Sequence, residues 1–189
     1  MMRTAAMFAA VLLIASAAFA AGPPAESSSP AATYFKDIQL VDQDGRKVRL
    51  YEDLMADRTV VINSIFTSCA GSCPVMSGNF AALQARFGER LDKDFRMISI
   101  SVDPADTPAK LKAFAKQFQA RPGWVFLTGE RAAVERALKK LGHFVEDKSD
   151  HSNVMLIGND RTGLWKKAFG LARPQDLIPV VQSVLDDPQ

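Results

Sequence analysis

The sequence predicts an α/β protein with a central mixed β-sheet flanked by helices and an N-terminal β-hairpin extension. Strand-like and helix-like segments alternate along the chain in the order hairpin, β-α-β-α-β-α-β-β-α. The central β-α-β units predict parallel strands joined by right-handed crossovers. The last two strands follow each other directly, which predicts an antiparallel pair. Parallel strands and an antiparallel pair in one chain together predict a mixed sheet.

The first elements of the chain are strands. Residues 38–41 and 47–50 predict a hairpin, because the segment 42–45 between them contains two aspartates and ends in glycine. Residues 59–66 are rich in β-branched side chains and have no charged residue. Such a run is typical of a strand that is covered on both faces of its sheet.

Prolines and apolar stripes mark the middle of the chain. Pro74 is suited to the first turn of a helix. The apolar stripe of this helix consists of Met76, Phe80, Leu83 and Phe87. Residues 95–102 predict a second buried strand, and Thr107 followed by Pro108 predicts the capped start of the next helix. Residues 125–127 predict a short strand.

The C-terminal part completes a recognisable pattern. Residues 130–141 predict a helix that ends at Gly142. Residues 154–157 and 164–169 predict a second hairpin, and residues 174–185 predict the last helix. A strand, a cysteine-containing loop, a helix that starts at the second cysteine, and a closing hairpin plus helix describe a thioredoxin-like fold.

The N-terminus predicts export. Residues 1–20 have one charge, Arg3, an apolar stretch and a final Ala-Phe-Ala pattern, which is typical of a cleaved secretory signal peptide. The apolar stretch is shorter than the ~20 residues that span a bilayer, and an uncleaved membrane anchor is the alternative. Residues 21–32 are rich in Pro, Ser and Ala and predict a flexible tether. Residues 33–187 then form one domain in the periplasm or another extracytoplasmic compartment.

The charge balance excludes one class of partner. The chain has 23 basic and 21 acidic residues, and removal of the signal peptide takes away only one basic residue. This near-balance predicts neither a basic face for nucleic acid nor a polybasic membrane patch.

The two cysteines are the strongest functional signal. Cys69 and Cys73 are the only cysteines, and they lie in the loop between the strand 59–66 and the helix that begins near Pro74. The start of a helix favours anions, so we expect a lowered thiol pKa for Cys73. From the residues alone, the pair is suited to a metal chelate, to thiol–disulfide exchange or to a static disulfide.

The histidines are distinguished by their context. His151 precedes the predicted strand 154–157 by three positions, and this strand should lie in the same sheet as the cysteine-bearing strand. We therefore expect His151 near the cysteine loop, with Asp150 available to orient its ring. His143 follows the helix stop at Gly142, and we expect it on the surface.

Three motifs in register give the chain a family resemblance. The motifs are Thr67-x-Cys69-x-x-x-Cys73-Pro74, Ser101-Val102-Asp103-Pro104-Ala105-Asp106-Thr107-Pro108 and Asp150-His151-Ser152. In this order and spacing the chain resembles the Sco/SenC family over essentially the whole domain. Ala70 and Gly71 stand where the commonest form of the family motif has Pro and Asp, which predicts a more flexible loop.

The resemblance implies a thioredoxin-fold protein that binds one copper ion, Cu(I) or Cu(II), through Cys69, Cys73 and His151. It also implies a metallochaperone role in assembling the copper centre of cytochrome c oxidase. The partner would be the copper-bearing subunit of that oxidase or another copper protein. Two thiolates and an imidazole suit Cu(I), and zinc would also accept them.

Family members that act as thiol–disulfide reductants or redox sensors supply the alternative. In that case the protein is an extracytoplasmic oxidoreductase in which Cys69 and Cys73 form a redox pair and a disulfide. A thioredoxin-like reductant would then be a partner.

Overall fold

The computed structural model describes residues 29–188. The predicted signal peptide, residues 1–20, and most of the predicted tether lie outside the described residues. Within the described part of the chain, seven strands form a single sheet. The strands are β1 (Gln39–Asp42), β2 (Lys47–Arg49), β3 (Thr59–Ile65), β4 (Phe95–Ser101), β5 (Trp124–Thr128), β6 (Val154–Asn159) and β7 (Leu164–Phe169).

Helices cover both faces of this sheet. They are α1 (Pro30–Tyr34), α2 (Ser72–Phe87), α3 (Pro108–Gln117), α4 (Arg131–Leu141) and α5 (Pro174–Leu185), with a π-helical turn at Leu50–Met55 and a 3-10 turn at Lys148–Asp150. Thr107 caps α3 by accepting a hydrogen bond from the backbone N–H of Lys110 at 3.3 Å. Gly142 ends α4 with a φ of +71°, a conformation that glycine adopts without a Cβ penalty.

The order of the strands is β2-β1-β5-β4-β3-β6-β7. β3, β4 and β5 are parallel neighbours, and β6 pairs antiparallel with β3. The predicted mixed sheet of a thioredoxin-like fold, with its N-terminal hairpin β1–β2, is therefore confirmed. Since β6 runs opposite to β3, the loop after β3 and the loop before β6 lie at the same edge of the sheet.

Two apolar clusters, one on each face of the sheet, form the core. One cluster joins α2, α3 and α5 to one face, and it includes Phe80, Phe95 and Trp124, which are almost completely buried. The other joins α1, the π-helical turn and α4 to the opposite face. Every residue of β3 is buried, as expected for a strand between two helical layers. The strand that leads to the cysteine loop is thus held from both sides.

The first described residues are attached to the domain. α1 begins at Pro30, within the segment 21–32 for which the sequence predicts a tether, because Ser29 caps it. The Ser29 hydroxyl donates to the carboxylate of Asp160 at 2.8 Å, just beyond the end of β6. β6 begins beside His151 and ends here, so the chain enters the domain at the sheet edge opposite the cysteine loop.

Candidate metal centre

The structure brings the three predicted ligand residues together. Cys69, Cys73 and His151 each offer one ligand atom, and these atoms all lie within 4.8 Å of one another. The Nε2 atom of His151 is 3.3 Å from the Sγ of Cys73 and 3.8 Å from the Sγ of Cys69. Both cysteines are free thiols. Cys73 and His151 are buried, and Cys69 is partly exposed at the rim.

The backbone explains why the two sulfurs converge. The N–H of Cys69 donates to the carbonyl oxygen of Phe66 at 3.2 Å, which closes a tight turn directly after β3. α2 begins at Ser72, two residues before Pro74, so Cys73 lies in the first turn of the helix. The turn and the helix start face each other across Ala70 and Gly71. A Cβ added to Gly71 would meet no atom within 4 Å.

Neighbouring groups orient the imidazole of His151. Its Nδ1 lies 3.4 Å from the carbonyl oxygen of Ser152. Because a carbonyl only accepts, this contact places the proton on Nδ1 and leaves the Nε2 lone pair facing the sulfurs. The ring packs edge-to-face on Phe66, with centroids 5.4 Å apart. Burial lowers the pKa of His151, partly opposed by the Ser152 contact, and therefore favours the neutral imidazole that a metal requires.

The expected pKa of Cys73 was wrong in direction. Its position at the start of α2 predicts a lowered thiol pKa, but burial and the hydrogen bond with Cys69 raise it to about 12. The side chain is 0 % exposed. The loss of hydration therefore outweighs the favourable field of the helix start. Without a metal cation, the reduced Cys73 is a neutral thiol.

The predicted surface position of His143 was also wrong. His143 is 2 % exposed, and neither ring nitrogen has a hydrogen-bond partner among the described residues. Its backbone N–H donates to the carbonyl oxygen of Leu138 at 2.8 Å, which turns the chain back against the helix after Gly142. Burial, with smaller contributions from Lys167 and His151, lowers the pKa of His143 to about 4.

The donor set fits a single soft or borderline metal ion. Zinc bonds of about 2.3 Å to sulfur and about 2.0 Å to nitrogen place the two donor atoms about 3.5 Å apart across one tetrahedral ion. The observed separations of 3.3 and 3.8 Å lie on either side of that value. Thiolate and imidazole are the ligands that Cu(I) and zinc share.

The structure adds one polar contact that the sequence did not reveal. The Oγ of Ser72 lies 3.1 Å from the Nε2 of His151, on the atom that faces the sulfurs. Asp150, which we expected to orient the imidazole, has no hydrogen bond to it among those found in the described residues. The only sequence signal for Ser72 was its position beside Cys73.

The two aspartates of the second sequence motif, Asp103 and Asp106, contact the segments that carry the predicted ligands. Asp106 accepts hydrogen bonds from Thr67, two residues before Cys69. Asp103 accepts from Lys148, three residues before His151. Burial alone would raise the pKa of Asp103, but the hydrogen bond from Lys148 holds it below its usual value. Asp103 and Asp106 thus support the site from behind, and neither is part of the three-residue ligand cluster.

Fold and site together define a thioredoxin-fold protein with a cluster of two cysteines and one histidine that is suited to binding one metal ion. The chain belongs to the SCO1/SenC family, whose model matches residues 26–184. A search of curated proteins found no match to this chain.

Solved structures support the same assignment. A SCO1/SenC family lipoprotein from Bacillus anthracis is 27% identical, covers 77% of this chain and 91% of its own, and has a TM-score of 0.65. BsSco, a Sco protein described with a disulfide switch, is 29% identical, with 79% and 92% covered and a TM-score of 0.65. Arabidopsis thaliana ScoI with copper bound is 25% identical, with 78% and 95% covered and a TM-score of 0.64. Among residues 29–188, no helix has the length and apolar character needed to cross a membrane.

Proposed function

We propose that this protein is an extracytoplasmic copper-binding metallochaperone that helps to assemble the copper centre of cytochrome c oxidase. The main support is the convergence of Cys69, Cys73 and His151 within 4.8 Å in a SCO1/SenC family chain. These residues would hold one copper ion as cargo, in the Cu(I) or Cu(II) state. Two thiolates favour Cu(I), and the imidazole extends the set toward Cu(II).

Binding requires both thiols to lose their protons. Because burial raises the pKa of Cys73 to about 12, the proton leaves only when a cation replaces it in the buried site. The neutral imidazole of His151 needs no such exchange. Copper affinity should therefore fall as the pH is lowered, since protons compete with the ion for the sulfurs.

Two neighbours of the same family support the partner and the location that we propose. BsSco is described as a member of the Sco family of cytochrome c oxidase assembly proteins, and the Bacillus anthracis relative is a lipoprotein. We accordingly propose that the partner of this chain is the copper-bearing subunit of the oxidase or another copper protein. We place residues 33–187 in the periplasm or an equivalent compartment, exported by a signal peptide at residues 1–20. No nucleic acid is involved.

The test is a copper titration of the reduced protein under anaerobic conditions. His151→Ala should weaken Cu(II) binding by more than about 100-fold, because loss of an outer partner of a ligand already costs 10–100-fold. Cu(I) binding by Cys69 and Cys73 should partly survive. His143→Gln is the matched control, since it changes the other histidine. Equal affinities of wild type and His151→Ala for both copper states would exclude His151 as a ligand.

A second function is favoured by the two free, adjacent thiols and by the disulfide switch described for BsSco. In this alternative Cys69 and Cys73 reduce a disulfide of a partner by two electrons and become a disulfide themselves. A thioredoxin-like reductant would regenerate the thiols. A redox potential of the pair well above about −300 mV would support this role, whereas a lower value is typical of a structural disulfide.

A further inference from the structure

One loop contacts both segments that present the proposed ligands. Residues 102–107 connect β4 to α3, and they lie at the sheet edge where the cysteine loop and the 3-10 turn before His151 meet. Asp106 contacts the first segment, and Asp103 contacts the second. Ser101 ties the two acidic residues together: its hydroxyl donates to Asp106 at 2.6 Å and accepts from the N–H of Asp103 at 3.1 Å.

The contact to the cysteine loop consists of two part-buried hydrogen bonds to one carboxylate. The carboxylate of Asp106 accepts from the backbone N–H of Thr67 at 2.9 Å and from its hydroxyl at 2.5 Å. Asp106 is 5 % exposed. Its carbonyl oxygen also accepts from the hydroxyl of Thr128 at 3.0 Å, which fixes the loop to the end of β5. Thr67 lies inside the turn that ends at Cys69, so Asp106 holds the first cysteine in place.

The contact to the histidine segment is a single ion pair between the buried carboxylate of Asp103 and the half-exposed ammonium group of Lys148. The ammonium group of Lys148 donates to the carboxylate of Asp103 at 2.6 Å, and 43 % of the Lys148 side chain is exposed. The same ammonium group lies 5.4 Å from the ring centre of Phe66, which packs on His151. The N–H of His151 donates to the carbonyl oxygen of Lys148 at 3.2 Å. The position of Lys148 is therefore transmitted to His151 through one turn of backbone.

We propose that Asp103 and Asp106 are positioning residues that hold the two halves of the metal site with unequal strength. Asp106 fixes the cysteine loop through two hydrogen bonds from uncharged donors, which salt screens little. The pair Asp103–Lys148 holds His151 through one ion pair whose ammonium side is open to solvent, so that salt or a charged partner surface can weaken it. His151 is thus the ligand that can be withdrawn while the cysteines stay in place. This inference rests on the proposed function, because it concerns the same three ligands.

Hydrogen exchange of the reduced, metal-free protein tests the positioning without copper. Lys148→Ala should raise exchange in residues 148–152 and leave residues 66–73 unchanged, and Lys148→Arg should restore the wild-type rate. Sodium chloride at about 1 M should shift the wild type toward the Lys148→Ala pattern, because the ammonium side of the pair is open to solvent. Asp106→Ala, or Asp106→Asn if the alanine variant does not fold, should raise exchange in residues 66–73 at any salt concentration.

Copper titration in two backgrounds tests the consequence for the site. Lys148→Ala should weaken Cu(II) binding by about two- to fivefold, the range of a partly exposed ion pair, and have no effect when His151 is already alanine. Asp106→Asn should weaken copper binding in both backgrounds, because it acts through Cys69.

Three outcomes would overturn the inference. They are unchanged exchange of residues 148–152 in Lys148→Ala, equal exchange increases in both segments, and equal effects of Lys148→Ala with and without His151. If the wild type binds no copper at all, the proposed function fails, and the exchange measurements still decide whether the two contacts differ.

Discussion

Removing the buried histidine should change how the protein responds to acid. His143 is 2 % exposed, and burial lowers its pKa to about 4. In the unfolded chain the same side chain titrates near its ordinary value of about 6.5. Between these two pH values the unfolded chain binds a proton that the folded protein does not. The stability that depends on a neutral His143 is therefore fully present above about pH 6.5, and it is lost as the pH falls toward 4.

The size of the effect follows from the two pKa values. Proton binding to the unfolded chain lowers the free energy of unfolding by about 2 kcal/mol between pH 7.5 and pH 5. The groups that act on His143 through charge are Lys167 and His151, and both remain in the variants. We therefore expect His143→Gln and His143→Met to lack this 2 kcal/mol of acid sensitivity.

Urea denaturation at pH 7.5, 6.5, 5.5 and 5.0 measures the difference directly. Carboxylates also titrate in this range, but they are common to the wild type and the variants, so the quantity of interest is the difference between the two free energies. Gln keeps a polar side chain of similar size, and Met adapts to an irregular apolar space. Parallel pH profiles for the wild type and both variants would refute the argument that His143 is held neutral by burial.

Three further predictions concern the cysteine site. Reduction of the disulfide, or replacement of both Cys69 and Cys73 by serine, should keep unfolding cooperative and give a Tm no more than about 6 °C below that of the disulfide form. The reason is that a disulfide closing so short a loop adds only about 2 kcal/mol to the free energy of unfolding. A double variant that unfolds without a cooperative transition would show that the pair is structural. Copper-loaded protein should resist alkylation of both thiols and the disulfide form should bind no copper, as mass spectrometry can check; stoichiometric copper on the disulfide form would contradict this. Ser72→Ala should tighten copper binding about fivefold, as measured in a competition titration. The Oγ of Ser72 lies 3.1 Å from the Nε2 of His151, and this contact must break when a metal binds there. Unchanged or weaker binding would show that Ser72 does not compete with the metal for His151.

Local signals in the sequence determined most of the secondary structure. Thr107 followed by Pro108, and Gly142 after an apolar stripe, act through the backbone of their own helices, so they could be interpreted without knowing any neighbour. The sequence also predicted that His151 lies near Cys69 and Cys73, and the structure brings them together because the start of β6 lies beside the end of β3. It missed α1 and the turn at Leu50–Met55, which gave no helix signal that we recognised and which pack on the sheet.

Only the tertiary structure decided the environment of the site residues. The field of a helix start is local and favours a thiolate at Cys73, but the loss of hydration depends on every element packed around the sulfur, and it raises the pKa instead. Likewise, Gly142 predicted an exposed position for His143, yet the chain turns back and buries the ring. Asp103 meets Lys148 across 45 positions of sequence. Burial and long-range pairing arise from the summed packing of distant segments, and no local pattern encodes them.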